Sequence, residues 1–295
     1  MSVTISAALV RELRERTSAG MMECKRALEA TGGDIGKAVE ELRKSGRAKA
    51  DKKAGRIAAE GAIAIKETGN RAAMVEVNSE TDFVSRDVNF AAFVNAVAET
   101  VLKHQAADIE KLSLLPLEGQ AKLTVEEARQ QLVAKVGENI QIRRAVLSSD
   151  KAKSIGHYVH GSRIGVMVEM DCDNKELARD IGMHIAASRP MVIAPDHVSA
   201  DVIAKEKEIY MAQALTSGKP QDIIEKMVAG RLKKFMDEVS LVGQPFVKDP
   251  DVTVGSMLNK QRAKVLAFHR YEVGEGMEKV TEDFKESVMS QVQGS

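Results

Sequence analysis

The residues of this chain that could hold a metal or attack a substrate are spaced against doing either. His157 and His160 are three apart in a stretch that alternates like a strand, so their rings leave on opposite faces and share no metal position. Asp171-Cys172-Asp173 lacks the alternating oxygen ligands and the glycine of a calcium loop. Gly218-Lys219 runs into Pro220 instead of a serine or threonine, so it is not a phosphate-cradling loop. No serine, cysteine or lysine stands in a nucleophile motif, and 3% aromatics with no tryptophan leave little to line a cofactor pocket. The expectation is therefore no catalytic residue, no metal and no cofactor. What remains is recognition. Glu76 to Arg86 (Glu-Val-Asn-Ser-Glu-Thr-Asp-Phe-Val-Ser-Arg) puts Phe83 into a polar loop directly after an apolar run. A large apolar side chain there either turns inward or is presented to a partner.

Both readings of Thr81-Asp82-Phe83-Val84 are open on spacing. In one, Asp82 or Ser85 caps the following helix while Phe83 or Val84 staples its first turns. In the other, the loop is a contact. The neighbouring methionines Met21 and Met22 pose a similar question: two adjacent helical positions cannot both face a core, so one is left as an adaptable contact.

The elements that must position these residues read as follows. Ile5, Leu9 and Leu13 with Val10, then Met21, Cys24, Ala27 and Leu28, then Ile35, Ala38, Val39 and Leu42 each form one apolar helical face, giving a three-helix bundle over residues 1–46. Gly32-Gly33 can end the second helix and Asp34 can cap the third. A bundle this small has a thin core and gains from a partner. The basic stretch with Arg47, Lys49, Lys52 and Lys53 reads as a solvated linker, open to helix, over 47–58.

An internal repeat follows. Gly69-Asn-Arg-Ala-Ala-Met-Val-Glu-Val77 and Gly161-Ser-Arg-Ile-Gly-Val-Met-Val-Glu-Met170 both place a Gly-x-Arg turn before a β-favouring run ending in Val-Glu-apolar. Each is preceded by a strand-like stretch, Gly61 to Lys66 or Ser154 to His160. Each is followed by a helical stripe, Phe90, Phe93, Val94, Val97 and Val101 in one and Leu177, Ile181, His184 and Ile185 in the other. The fold class is therefore α+β: two duplicated subdomains with antiparallel sheets, over 59–147 and over 148–198 with 239–273. Ile140 to Leu147 reads as a strand entering the second subdomain, and Val265 to Val273 as one returning to it. Ala200 to Thr216 and Gln221 to Glu238 read as helices around the turn Ser217-Gly-Lys-Pro220, an antiparallel coiled-coil hairpin inserted over 199–238. Residues 274–295 are left as a C-terminal module. The hairpin either docks another chain or covers its own core.

Forty-three basic and 43 acidic residues cancel, so no global positive field draws the chain to nucleic acid or an anionic membrane. Cys24 and Cys172 alone cannot make a disulfide framework and read as reduced thiols. The N-terminus lacks a signal peptide's features and no segment is long and apolar enough to span a bilayer, so the expectation is a soluble, cytoplasmic protein.

Several motifs in order resemble the bacterial elongation factor Ts family along nearly the whole chain. They are Leu9-Val-Arg-Glu-Leu-Arg-Glu-Arg-Thr17, Thr17-Ser-Ala-Gly-Met-Met22, Thr81-Asp-Phe-Val84, Gly137-Glu-Asn-Ile-x-Ile-Arg-Arg144, His160-Gly-x-Arg-Ile-Gly165, Met183-His-Ile-Ala186, Gly243-Gln-Pro-Phe-Val247 and Glu272-Val-Gly-Glu-Gly276. The hairpin and C-terminal module resemble the long form of the family. Ser18 stands where the family often has glycine; it stiffens the turn before Met21 without abolishing binding. The resemblance implies a translation elongation factor without chemistry of its own, a guanine-nucleotide exchange factor. Its partner would be elongation factor Tu, GDP-bound and nucleotide-free. It also implies a UBA-like N-terminal bundle that grips the partner's GTPase domain through Met21 and Met22. Thr81, Asp82, Phe83 and Val84 become the wedge that disturbs magnesium beside the nucleotide, and His160 a contact with the far domain of elongation factor Tu. The segment after Gly276 becomes a further arm on the GTPase domain, and the hairpin a site of self-association or larger assembly. Two other classes stay open, a helix-bundle adaptor for peptides and an enzyme with a cleft between the repeats; both leave the Thr-Asp-Phe-Val match unexplained.

Overall fold

The computed structural model describes residues 5–17, 19–216 and 219–277. Its helices are α1 (Ala7–Thr17), α2 (Met21–Ala30), α3 (Ile35–Lys53), α4 (Asp82–Ser85), α5 (Val88–His104), α6 (Ile109–Leu114), α7 (Val125–Val136), α8 (Lys175–Ser188), α9 (Ala200–Leu215), α10 (Gln221–Val239) and α11 (Val254–Lys260). The strands are β1 (Glu60–Thr68), β2 (Arg71–Ser79), β3 (Pro116–Leu117), β4 (Gln120–Thr124), β5 (Ile140–Leu147), β6 (Ser154–His160), β7 (Ile164–Met170), β8 (Pro245–Phe246), β9 (Asp249–Thr253) and β10 (Val265–Glu272). Two compact units result. One takes the chain up to Ala64, Val75–Ala145 and the chain from Glu272; the other takes Ile65–Met74 and Val146–Tyr271. No helix among the described residues is long and apolar enough to cross a membrane.

In the first unit, α1 to α3 close around Val10, Leu13, Cys24, Ala27, Leu28 and Ala38, all on the stripes read from the sequence, while Met21, placed on the second stripe, stays exposed at the first position of α2. The second helix ends as its glycines demand: Gly32 and Gly33 take φ of 63° and 85°, and the Gly33 amide bonds back to the Leu28 carbonyl at 2.8 Å. Asp34 then caps α3 by accepting from the Lys37 amide. The helix does not stop where the linker was expected. Residues 47–53 continue it to Lys53, because Gly46 and Ala50 are buried and α3 packs on α7, with Gly46 facing Gln130 and Ala134. The stretch is thus the helical alternative of the two left open for it over residues 47–53, with these two small residues spaced four apart on one helical face. Further along, α5 buries Phe90, Phe93, Val94, Val97 and Val101, the whole predicted stripe. Asp87 caps it, and its carboxyl is held below the ordinary range chiefly by the side-chain hydrogen bond from Asn89.

The first sheet has the order β1-β2-β5, so Ile140 to Leu147 is the third strand of the first repeat and not an entry into the second. The second sheet, β10-β7-β6, matches it, with β10 as the returning strand. The β6–β7 hairpin is antiparallel and turns on Gly161 and Ser162, both at positive φ. The repeat extends into features too short to show a period. A β3–β4 ribbon precedes α7 and a β8–β9 ribbon precedes α11, each with the same irregular register, and Thr124 and Thr253 cap the helix that follows each ribbon. The second core gathers Val166, Val168, Met170, Leu177, Ile181 and Ile185 with Leu241, Phe246, Val254 and Val265. Within that unit α9 and α10 pack together through Ala214, Ile224 and Val228 beside Tyr210 and Met211. Ser18, the Ser217-Gly218 turn and residues 278–295 of the expected C-terminal module lie outside the described residues.

Candidate partner-binding site

Thr81 begins the single-turn helix α4. Its hydroxyl oxygen accepts the Val84 amide at 3.4 Å, and Ser85 Oγ donates to the Asp82 carbonyl at 2.8 Å. Asp82 pairs with Arg86 one turn on, at 2.8 Å and partly exposed, so the pair orients the turn while contributing little to stability. Phe83 points away from all of this. It is 81% exposed, with Val88 also exposed one helix start later. Phe83 therefore makes no staple, and the caps are Thr81 on α4 and Asp87 on α5 where Asp82 or Ser85 were the candidates; Val84, the other staple candidate, is half-buried. Leaving such a ring in water forgoes about 1.5–3 kcal/mol of burial, which a partner surface can recover.

The loop is held from below by residues the sequence reading did not single out. Glu138 accepts the Thr81 amide at 3.0 Å and its hydroxyl at 2.6 Å. Glu80 accepts the Asn139 amide at 2.6 Å and meets Arg56 at 3.5 Å. Buried Asn139 spends its own side-chain amide on the Arg56 carbonyl at 2.8 Å and the Ala54 carbonyl at 3.4 Å. The available signal was the Gly137-Glu-Asn-Ile140 run: Gly137, at φ of 81°, ends α7 and turns Glu138 back toward the loop.

Met21 and Met22 are 59% and 63% exposed, so neither faces inward; Cys24 takes the buried position on α2. They line a groove with Ile5, Val10, Arg14 and Lys25, a mixture of apolar and basic side chains. Burial raises the Cys24 thiol above its ordinary pKa, which keeps it an inert core group.

In the second unit His160 ends β6 exposed, its Nδ1 3.0 Å from the Tyr158 hydroxyl. His157 leaves the other face of the strand and meets Glu67 Oε2 at 3.1 Å, as the alternation required. Among the described residues no cluster of metal-ligating side chains forms. His184 is a structural histidine: its Nδ1 accepts the Val247 amide at 3.2 Å, which leaves Nε2 to donate to Gln244 Oε1 at 3.0 Å. The Met183-His-Ile-Ala186 and Gly243-Gln-Pro-Phe-Val247 motifs are thus joined inside one core. Two more motifs meet in the first unit. Buried Glu76 accepts from Arg143 at 3.1 Å, Arg144 at 2.6 Å and the Gly274 amide at 2.9 Å, tying Ile-Arg-Arg144 to the Glu272-Val-Gly-Glu-Gly276 turn.

Comparison with known proteins adds a further finding. The family model of elongation factor Ts matches residues 80–275, which begins one residue before Thr81. The chain is 56% identical to an elongation factor Ts of Thioalkalivibrio sulfidiphilus, over 99% of this chain and all of the relative. It is 57% identical to one of Legionella pneumophila, over 98% of this chain and 99% of the relative. It is 53% identical to one of Francisella tularensis subsp. novicida over the same shares.

Proposed function

The chain belongs to the elongation factor Ts family, and from that premise we propose that it binds GDP-bound elongation factor Tu and promotes GDP release, staying bound until GTP enters. The observation that carries the reading is Phe83, exposed at the tip of a capped, carboxylate-held turn. GDP on a translational GTPase is held by a phosphate loop, charge pairs and magnesium, so spontaneous release requires many contacts to break together. A factor that stabilises the state with magnesium and phosphate loop displaced lowers that barrier. In this reading Phe83 is the wedge and Asp82 perturbs the hydrogen bonds around magnesium, while Thr81 and Val84 shape the turn behind them. Met21 and Met22 anchor the partner's GTPase domain through the N-terminal bundle, read as UBA-like. His160 meets the far domain. The α9–α10 pair acts as a coiled-coil insertion available for larger assembly, and the protein works in the cytoplasm with no catalytic chemistry of its own. Exchange by linkage is reciprocal: a factor that weakens GDP binding is itself weakened by GDP in the same ratio, which makes the ternary complex transient.

The test is release of fluorescent GDP from elongation factor Tu, chased with excess GDP, with and without catalytic amounts of this chain. Turnover of many equivalents per factor is expected. Release at the spontaneous rate would remove the reading.

A further inference from the structure

A four-residue helix cannot hold its own orientation, since one turn fixes several backbone dihedrals for a single hydrogen bond. Here the orientation comes from a residue 57 positions away in sequence. Both oxygens of Glu138 are committed to Thr81, one to its amide and one to its hydroxyl. Because the one hydroxyl proton of Thr81 goes to Glu138, its lone pairs are turned toward the Val84 amide as the cap. One carboxylate therefore holds both the amide and the hydroxyl rotamer of Thr81 at the start of the turn that carries Phe83, while Ser79 Oγ holds the Thr81 carbonyl at 2.9 Å. The bond is answered in reverse, with Glu80 accepting from the Asn139 amide, so the two loops grip each other through paired carboxylate-to-backbone contacts. Asn139 extends the grip to the carbonyls of Ala54 and Arg56, just beyond α3.

We propose that Glu138 is a positioning residue for Phe83: it touches no partner itself, and it presets the angle at which the ring is presented. This rests on the reading of Phe83 as the wedge. Preorganisation of this kind removes the cost of ordering the loop at the moment of insertion, so its loss slows the exchange step more than it weakens docking.

The experiment compares the full chain with Glu138→Ala, Glu138→Gln, Phe83→Ala and the Phe83→Ala, Glu138→Ala double variant, in two readouts. The first is amide hydrogen exchange of residues 79–88 in the free protein. Glu138→Ala is expected to speed exchange at Thr81 and Val84 about tenfold or more, with Glu138→Gln intermediate because its amide keeps one acceptor. The second is the GDP release rate at saturating factor. Glu138→Ala is expected to lower the limiting rate about tenfold with a smaller change in half-saturating concentration, and to add nothing in the Phe83→Ala background. Equal slowing in both backgrounds, or unchanged exchange at Thr81 and Val84, would overturn the proposal. If wild-type chain fails to accelerate release, the exchange-factor reading falls, and the hydrogen-exchange arm still decides whether Glu138 orders the loop. Should Glu138→Ala not fold, as reported by its thermal melt, Glu138→Gln carries the same comparisons.

Discussion

Glu76 shows how one residue can be read wrongly if charge is taken for exposure. It lies mid-strand in β2, fully buried, and is matched by two arginines and a backbone amide. Removing it takes their buried carboxylate from Arg143 and Arg144, though both are partly wet and each keeps a bond to the 272–275 turn, Arg143 to the Glu275 carbonyl and Arg144 to the Glu272 carbonyl and Glu275 carboxylate. Glu76→Leu is expected to lower stability by about 2–3 kcal/mol in urea unfolding; a change within about 0.5 kcal/mol would show that the cluster contributes nothing net. His184 makes a pH prediction. Burial depresses its pKa below the ordinary 6.5, so as pH falls through that value the unfolded chain takes up a proton that the folded chain refuses. Stability is therefore full above that value and is lost below it, and His269, also depressed by burial, adds in the same direction. Unfolding free energy should fall between about pH 7.5 and about pH 5.5, and fall less in His184→Gln. Equal slopes would remove His184 as a source. The Phe83 ring was legible as an anomaly, an aromatic in a polar loop, but its direction was not. A buried staple and an exposed contact have the same spacing, and only the folded chain, with Thr81 and Asp87 as caps, shows Phe83 exposed.

At the level of elements, the long stripes and paired hairpins were legible, while α7 went unread although it has both a period, with Val125, Ala128, Leu132 and Val133 buried, and a Thr124–Glu127 capping box. The stripes of α5 and α8 and the paired Gly-x-Arg hairpins lie where the pattern put them, because each buries one face over several turns or strand residues. The two-residue strands β3 and β8 and the short helix α6 carry no period and were missed. So was the partner of β5, since strand pairing is a long-range choice that a local pattern does not encode. The extension of α3 to Lys53, which the basic stretch left open, rests on Gly46 and Ala50, buried four apart on one face, while Arg43 and Lys53 reach across to Glu127 and the Gly137 carbonyl. Gly156 in β6 gives the sharpest test at this scale. A β-carbon there would stand 2.2 Å from the backbone of Ala178, so α8 can approach β6 only over a glycine. Gly156→Ala is expected to cost about 1–3 kcal/mol, read as a lowered urea midpoint with unchanged slope. A neutral result would mean that α8 shifts outward without penalty.

Taken whole, the chain has no net charge with which to steer an encounter, and among its described residues no metal cluster. Its exposed apolar residues include Phe83 and the Met21–Met22 pair, each on a capped or packed helix of the first unit. The proposed exchange activity therefore divides between anchoring, which sets how much factor is needed, and the wedge, which sets how fast GDP leaves once the factor is seated. Those two quantities separate in a titration. The decisive measurement is the GDP release rate from elongation factor Tu as the factor is raised to saturation, for wild type and Phe83→Ala. The account predicts a limiting rate about tenfold or more lower in Phe83→Ala, with a half-saturating concentration close to wild type. An unchanged limiting rate would contradict it.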